Sequence, residues 1–267
     1  MSEFSIYLPG GMDCAATFAS GQAFRWRLCG DEFCGIAGGY YARVHMQGDN
    51  IIIKTDGDEA FWCRYFAAQQ DYTALRDCFC KDETLAACVH FAEGIRVLRQ
   101  PFFETLCTFI ISQNNNIPRI TGIVQRMCET FGTCLPNGEY TFPAAETLAC
   151  KTVEDLAPLR SGFRAKYLLD AARQVANGTV NEKDLEKMDI DTARKCLIEI
   201  YGVGQKVADC VLLYGLGRIE TVPIDVHMRR AMENLFPNGL PLEVLPYAGI
   251  AQQFIFHYTR LGAQTHT

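Results

Sequence analysis

The chain has 267 residues, with 25 Lys and Arg against 31 Asp and Glu, a formal charge of −6. Its 49% apolar and 21% charged content excludes disorder, collagen and coiled coil. The acidic balance argues against a protein that coats nucleic acid by bulk charge, and leaves room for a local basic site.

The first ninety residues read as strand-rich. Phe24 to Leu28 alternates apolar and basic side chains, and Glu32 to Met46 and Ile51 to Lys54 carry aromatic and β-branched residues. Gly38-Gly39 and Gly48-Asp49-Asn50 punctuate them as turns. A twisted antiparallel sheet is the simplest arrangement. Helical periodicity begins near Asp71 and dominates after Pro101. Helices are predicted over Phe102 to Ile111, from Pro118 to Phe131, and over Pro143 to Ala149, Val153 to Leu159 and Arg164 to Ala176. Asp191 is the expected N-cap of a helix running to Ile200. A second helix is expected from Gln205 to about Tyr214, then helices over Val226 to Phe236 and Leu242 to Leu261. The fold class is therefore α+β: a small antiparallel sheet domain over residues 1–90 and a mainly helical domain over residues 91–267.

The charge is uneven between these parts. Residues 1–90 hold 7 basic against 12 acidic side chains, and residues 91–267 hold 18 against 19. A polyanion meets less repulsion from the second part. The apolar runs Cys107 to Ile111 and Cys210 to Leu216 fall short of the ~20 residues a membrane span needs. Glu3 and the absence of a basic cluster argue against a signal peptide. Thirteen cysteines without a Cys-x-x-Cys pair give no readable zinc site and fit reduced thiols in the cytosol. No metal ligand set is predicted. With no cysteine beyond Cys210, a C-terminal iron–sulfur loop is not expected.

Tyr201-Gly202-Val203-Gly204-Gln205-Lys206 between two predicted helices is the most informative stretch. Two glycines one residue apart permit a tight turn and let a phosphate approach the backbone. The following helix offers unpaired N–H groups at its start. An ordinary turn between helices is the alternative. Downstream stands Thr221-Val222-Pro223-Ile224-Asp225-Val226-His227, where Asp225 is also placed to cap a helix.

These residues resemble the helix–hairpin–helix DNA glycosylase superfamily. Ser112 to Asn116, Ser20 to Trp26 and Val222 to Met228 are similar to motifs of its 8-oxoguanine DNA glycosylases, and the similarity runs from about residue 5 to 260. The resemblance implies a bifunctional glycosylase and lyase with Lys206 and Asp225 as catalytic residues. A lysine amine that attacks C1′ of the deoxyribose expels the base and becomes a Schiff base, which favours β-elimination of the 3′ phosphate. A carboxylate at Asp225 would stabilise the oxocarbenium-like sugar. Lys206 serving only as a phosphate contact is the alternative.

The resemblance also implies a flipped lesion sandwiched by Phe256 and Cys210, with Gln252 at its pairing edge and the Gly21 carbonyl accepting from N7–H. Guanine carries a lone pair at N7, so such a carbonyl separates lesion from normal base. The rival assignments are a core phenylalanine, a core cysteine and a surface glutamine. Asn114 matches the residue that fills the vacated stack, and Arg119 and Arg164 match the pair that holds the orphan cytosine. Phe163 stands at the wedge position, where the family commonly has tyrosine. Gly202, Gly204 and Gln205 are the hairpin's expected DNA contacts, and His227 matches a residue near the lesion phosphate. Helix-packing roles and a charged helix face are the alternatives for these residues.

The expected partner is double-stranded DNA carrying 8-oxoguanine, preferentially opposite cytosine, bound by a monomer away from any membrane. No cofactor is expected to be required, and the hairpin carbonyls are a place where Na⁺ or K⁺ can coordinate. The expected location is the cytosol or nucleoid of a prokaryote, or the nucleus of a eukaryote. A related glycosylase for another oxidised or alkylated base, an inert DNA-binding module and a protein-interaction scaffold are the rival functions.

Overall fold

The computed structural model describes residues 1–261, so residues 262–267 of the expected second domain lie outside the described residues. In chain order the first part carries β1 (Ser2–Tyr7), α1 (Cys14–Ala19), β2 (Trp26–Cys29), β3 (Glu32–Ala37), β4 (Tyr40–Gln47), β5 (Asn50–Thr55) and α2 (Glu59–Tyr65). There follow α3 (Tyr72–Phe79), α4 (Glu83–Phe91), α5 (Phe102–Ser112), α6 (Ile117–Phe131), α7 (Ala145–Ala149), α8 (Arg164–Ala176), α9 (Glu182–Lys187), α10 (Ile190–Ile198), α11 (Gln205–Cys210), α12 (Val226–Leu235) and α13 (Ala248–Leu261).

The five strands form one antiparallel sheet in the order β1-β5-β4-β3-β2. Strands β2 to β5 form a meander, and β1 adds to the free edge of β5. Gly38 and Gly39 both have positive φ, the geometry a two-residue hairpin between β3 and β4 requires. Alternate residues of β4 and β5, including Ala42, Val44, Ile51 and Ile53, are buried on one face. There they join Phe18, Trp62 and Phe66 from α1, α2 and the turn after α2. Trp26 of β2 stacks on Phe18 with ring centroids 4.4 Å apart.

A second, larger core gathers the helices from α3 onward. It recruits Tyr72, Leu75, Phe79 and Leu85, so α3 and α4 pack with the helical bundle rather than with the sheet. Arg96 stitches the two parts together. It is fully buried and donates to the carbonyls of Pro9, Gly11, Phe66, Ala67 and Gln70, while its guanidinium lies 4.1 Å from the centre of the Tyr72 ring. Five carbonyl acceptors replace the water that a buried cation would otherwise need.

Several elements differ from the sequence expectation, each for a physical reason. Helices α1 and α2 precede Asp71, and at 6 and 7 residues they are too short for a 3.6-residue period to show. Over Val153 to Leu159 only the turn Ala157–Leu159 is helical, because Pro158 cannot donate to a longer ladder. The cap of α10 is Asp189 rather than Asp191. Asp189 accepts from the Thr192 N–H at 2.9 Å and hydroxyl at 2.7 Å, while Asp191 sits in the first turn and pairs with Arg194 at 2.5 Å. After α11 the backbone widens into a π turn over Val211–Gly215. Before α13 only Leu245–Tyr247 is helical, a single 3-10 turn containing Pro246.

Candidate active site

The hairpin joins α10 to α11. Gly202 has φ of +83°, and a Cβ there would stand 2.3 Å from the ring of Tyr167. Gly204 is extended and open: among the described residues, nothing beyond its chain neighbours lies within 4 Å of where its Cβ would be. The two glycines thus serve different ends, one closing the turn against an aromatic ring and the other leaving the helix start bare. The hairpin is braced from below by Asp170, which accepts from the Tyr201 N–H at 2.8 Å. Asp209 of α11 pairs with Arg194 of α10 at 2.6 Å. Burial pushes the Asp209 carboxyl above its ordinary pKa, and the Arg194 guanidinium partly offsets that.

Lys206 projects from the first turn of α11 into a cleft of about 850 Å³. Its Nζ donates to the Ser112 hydroxyl at 3.4 Å and lies 5.2 Å from the centre of the Phe109 ring. The aromatic face and the end of α5 therefore hold the amine, and no carboxylate among the described residues pairs with it. Asp225 lines the same cleft and caps α12, accepting from the Met228 N–H at 2.7 Å. The cap and the candidate catalytic carboxylate are one group: capping uses Oδ1, and Oδ2 has no protein hydrogen-bond partner among the described residues.

Gly21, His227 and Phe256 also line this cleft. Gly21 has φ of +84°, and its turn is bolted by the neighbouring Gln22. The buried Gln22 amide donates to the Ser20 hydroxyl at 2.9 Å and the Arg96 carbonyl at 2.8 Å, and accepts from the Leu98 N–H at 2.8 Å. The candidate carbonyl of Gly21 is thus held by the same residues that join the two cores.

Cys210 and Gln252 do not line the cleft; they are 2% and 5% exposed, while Lys206 and Phe256, four positions from them along α11 and α13, do line it. Burial holds the Cys210 thiol up at about 11, against the pull of Lys206. Gln252, expected at the pairing edge of the base with a surface position as the alternative, is a buried residue whose Oε1 accepts from the Gln253 amide at 3.0 Å.

The candidate DNA contacts outside the cleft divide. Asn114, Arg119, Gly204 and Gln205 are exposed, and Phe163 is 54% exposed at the start of α8. Arg164 is not free. It is buried and donates to the carbonyls of Gln113, Asn114 and Ser161 through all three guanidinium nitrogens, with Cζ 4.4 Å from the centre of the Phe163 ring. Asn114 has φ of +47°, a conformation unfavourable for a residue with a Cβ. Arg164 therefore clamps the turn that presents Asn114. Arg119 stands beside it, and burial followed by that like charge lowers the Arg164 pKa.

Sequence reasoning missed Phe109, Arg230 and Arg260 as cleft residues and Gln22 as the anchor of Gly21. Ser112 opens the Ser112 to Asn116 motif, and its polarity at the end of an apolar helix is the signal that marks it. Phe109 inside that helix gave none. Among the described residues, no group of three or more His, Cys, Asp or Glu is placed to hold a metal ion. No described helix is long and apolar enough to cross a membrane.

Comparison with known proteins places these features in a family. Residues 8–106 match the family described as "8-oxoguanine DNA glycosylase, N-terminal domain". Residues 107–239 match the "HhH-GPD superfamily base excision DNA repair protein" family. The chain is 38% identical over 156 residues to the N-glycosylase/DNA lyase of Saccharomyces cerevisiae, a match that spans 52% of this chain and 41% of the yeast protein. The structure of MBOgg1 in complex with a low affinity DNA ligand superposes with a TM-score of 0.91 at 36% identity, over 98% of this chain and 97% of that one. The Clostridium acetobutylicum 8-oxoguanine glycosylase/lyase, in complex with DNA containing cytosine opposite 8-oxoguanine, gives 0.86 at 32%, over 94% and 93%. The sheet domain, the braced hairpin and these matches agree, and the chain belongs to the 8-oxoguanine DNA glycosylase family of the helix–hairpin–helix superfamily.

Proposed function

We propose that the protein excises 8-oxoguanine from double-stranded DNA, preferentially opposite cytosine, and then nicks the strand. One juxtaposition carries the reading: Lys206 and Asp225 line a single cleft with Gly21 and Phe256. The neutral Lys206 amine attacks C1′ of the flipped nucleotide. The bond from C1′ to the base breaks, and the base leaves with its electron pair and takes up a proton. Asp225 Oδ2 faces the positive charge that develops on the sugar. The nitrogen, now bonded to C1′, gives up one proton; O4′ leaves C1′ and takes up a proton as the sugar ring opens, and the nitrogen lone pair forms the iminium. Loss of a C2′ proton then expels the 3′ phosphate by β-elimination, and water releases the enzyme.

The remaining residues have roles in binding. Gly202, Gly204 and Gln205 meet a phosphate at the hairpin, and His227 meets one beside the lesion. Asn114 fills the vacated stack, Phe163 enters the base step, and Arg119 reads the orphan cytosine. Arg164 holds the turn that presents Asn114. Phe256 stacks on the flipped base from the cleft, Cys210 closes its other face, Gln252 meets its pairing edge, and the Gly21 carbonyl accepts from N7–H. No cofactor enters these steps, and the protein acts as a monomer, with Na⁺ or K⁺ at the hairpin carbonyls as an accessory. A duplex with one 8-oxoguanine opposite cytosine, or opposite adenine, tests the proposal: base release and a nicked strand, faster opposite cytosine, are expected. An intact strand with the base retained rejects it.

A further inference from the structure

Three buried polar side chains form a chain directly behind the cleft wall. Tyr214, Gln252 and Gln253 are 4%, 5% and 3% exposed. The Gln253 amide nitrogen donates to the Tyr214 hydroxyl and to Oε1 of Gln252. Its own Oε1 has no hydrogen-bond partner among the described residues. Tyr214 stacks on Phe109, with centroids 5.2 Å apart and planes 13° from parallel, and Phe109 is the ring over which Lys206 lies. Tyr214 sits in the π turn Val211–Gly215, a widening of the ladder that recurs at functional sites. An apolar side chain at 253 would avoid an unpaired buried acceptor, so stability alone does not account for this arrangement.

We propose that Gln253, anchored on Tyr214, is a positioning residue that fixes the rotation of the Gln252 amide, so that the site reads the pairing edge of the flipped base in one polarity. This rests on the excision function proposed above. A free amide can present either its oxygen or its NH₂ group by rotating half a turn. 8-Oxoguanine carries a donor at N1 and an acceptor at O6, while 8-oxoadenine carries an acceptor at N1 and a donor at N6. A freely turning glutamine accommodates both. One whose Oε1 is already engaged discriminates between them.

The test is single-turnover base release from duplexes carrying 8-oxoguanine or 8-oxoadenine opposite cytosine, with affinity for a duplex carrying a tetrahydrofuran abasic analogue measured beside it. Tyr214→Phe removes one oxygen and keeps the ring stack; Gln253→Ala removes the amide. Both should narrow the 8-oxoguanine to 8-oxoadenine ratio by about tenfold, the worth of one misaligned hydrogen bond, with abasic affinity within about twofold of wild type. Should Gln253→Ala fail to fold, Tyr214→Phe alone decides. An unchanged ratio in Tyr214→Phe, while Gln252→Ala collapses it, overturns the positioning role and leaves the excision reading intact. A parallel fall in rates and abasic affinity with the ratio unchanged makes the pair merely structural and also overturns it. A wild-type protein that releases neither base refutes the function itself.

Discussion

The two hairpin glycines should separate folding from DNA binding. In Gly202→Ala the new Cβ meets two obstacles: a backbone at φ +83° and the Tyr167 ring at 2.3 Å. The left-handed conformation costs about 1–2 kcal/mol, and displacing a packed ring costs about 1–3 kcal/mol. Tyr167 packs edge-on against Tyr201 at 4.9 Å and Phe163 at 5.7 Å, so it cannot move alone. A loss of roughly 3 kcal/mol corresponds to a fall in Tm of about 6–12 °C for a chain of this size. Gly204→Ala meets neither obstacle, since nothing lies within 4 Å. Alanine caps less well than glycine by about 0.5–1 kcal/mol, and restriction of the unfolded chain returns about 0.4–1 kcal/mol. Its Tm should therefore stay within about 3 °C of wild type. Its methyl group, however, stands where a phosphate would reach the α11 N–H groups. Losing one hydrogen bond to a charged group is worth about 1.5–3 kcal/mol, so duplex affinity should fall about tenfold or more. Thermal melts and fluorescence anisotropy with a labelled duplex measure both quantities. Wild-type affinity in Gly204→Ala refutes the hairpin as a phosphate site, and an unchanged Tm in Gly202→Ala refutes the steric argument.

Asp225→Asn keeps a side-chain oxygen for the Met228 N–H, so stability should change by less than about 1 kcal/mol while single-turnover base release drops at least a hundredfold; a rate near wild type would leave Asp225 as a cap only. Arg119→Ala should narrow the cytosine-to-adenine ratio of excision rates, whereas Arg164→Ala, by releasing the Asn114 turn, should slow both substrates together; the opposite assignment of these two phenotypes contradicts the clamp. Cys210 is buried, which both shields it and raises its thiol to about 11, so at pH 8 its alkylation should lag exposed Cys134 and Cys150; peptide-resolved mass spectrometry showing equal labelling at pH 8 rules this out.

Much of this was legible because it depends on local pattern. The hairpin needs its glycines at fixed spacing, α8 shows a full 3.6-residue period, and β4 and β5 alternate around a two-glycine turn. What was hidden depends on long-range packing. Arg164 reads as a solvated cation, yet its acceptors are carbonyls about fifty positions earlier, at Gln113 and Asn114. The burial of Gln252 was hidden because its partner, Gln253, is anchored on Tyr214 from another helix. Gln22 and Arg96 look like ordinary polar residues, and only the docking of sheet on bundle brings them together behind Gly21. Asp189 and Asp191 offer equal capping chemistry two positions apart, and the path of the entering chain decides between them.

The most direct measurement is borohydride reduction during reaction with an 8-oxoguanine duplex, followed by peptide mapping of the cross-link. The wild-type protein should give a covalent protein–DNA adduct on the Lys206 side chain, and Lys206→Gln should bind the duplex yet trap none. An adduct of undiminished yield in Lys206→Gln, or a cross-link mapped to another amine, would contradict the account.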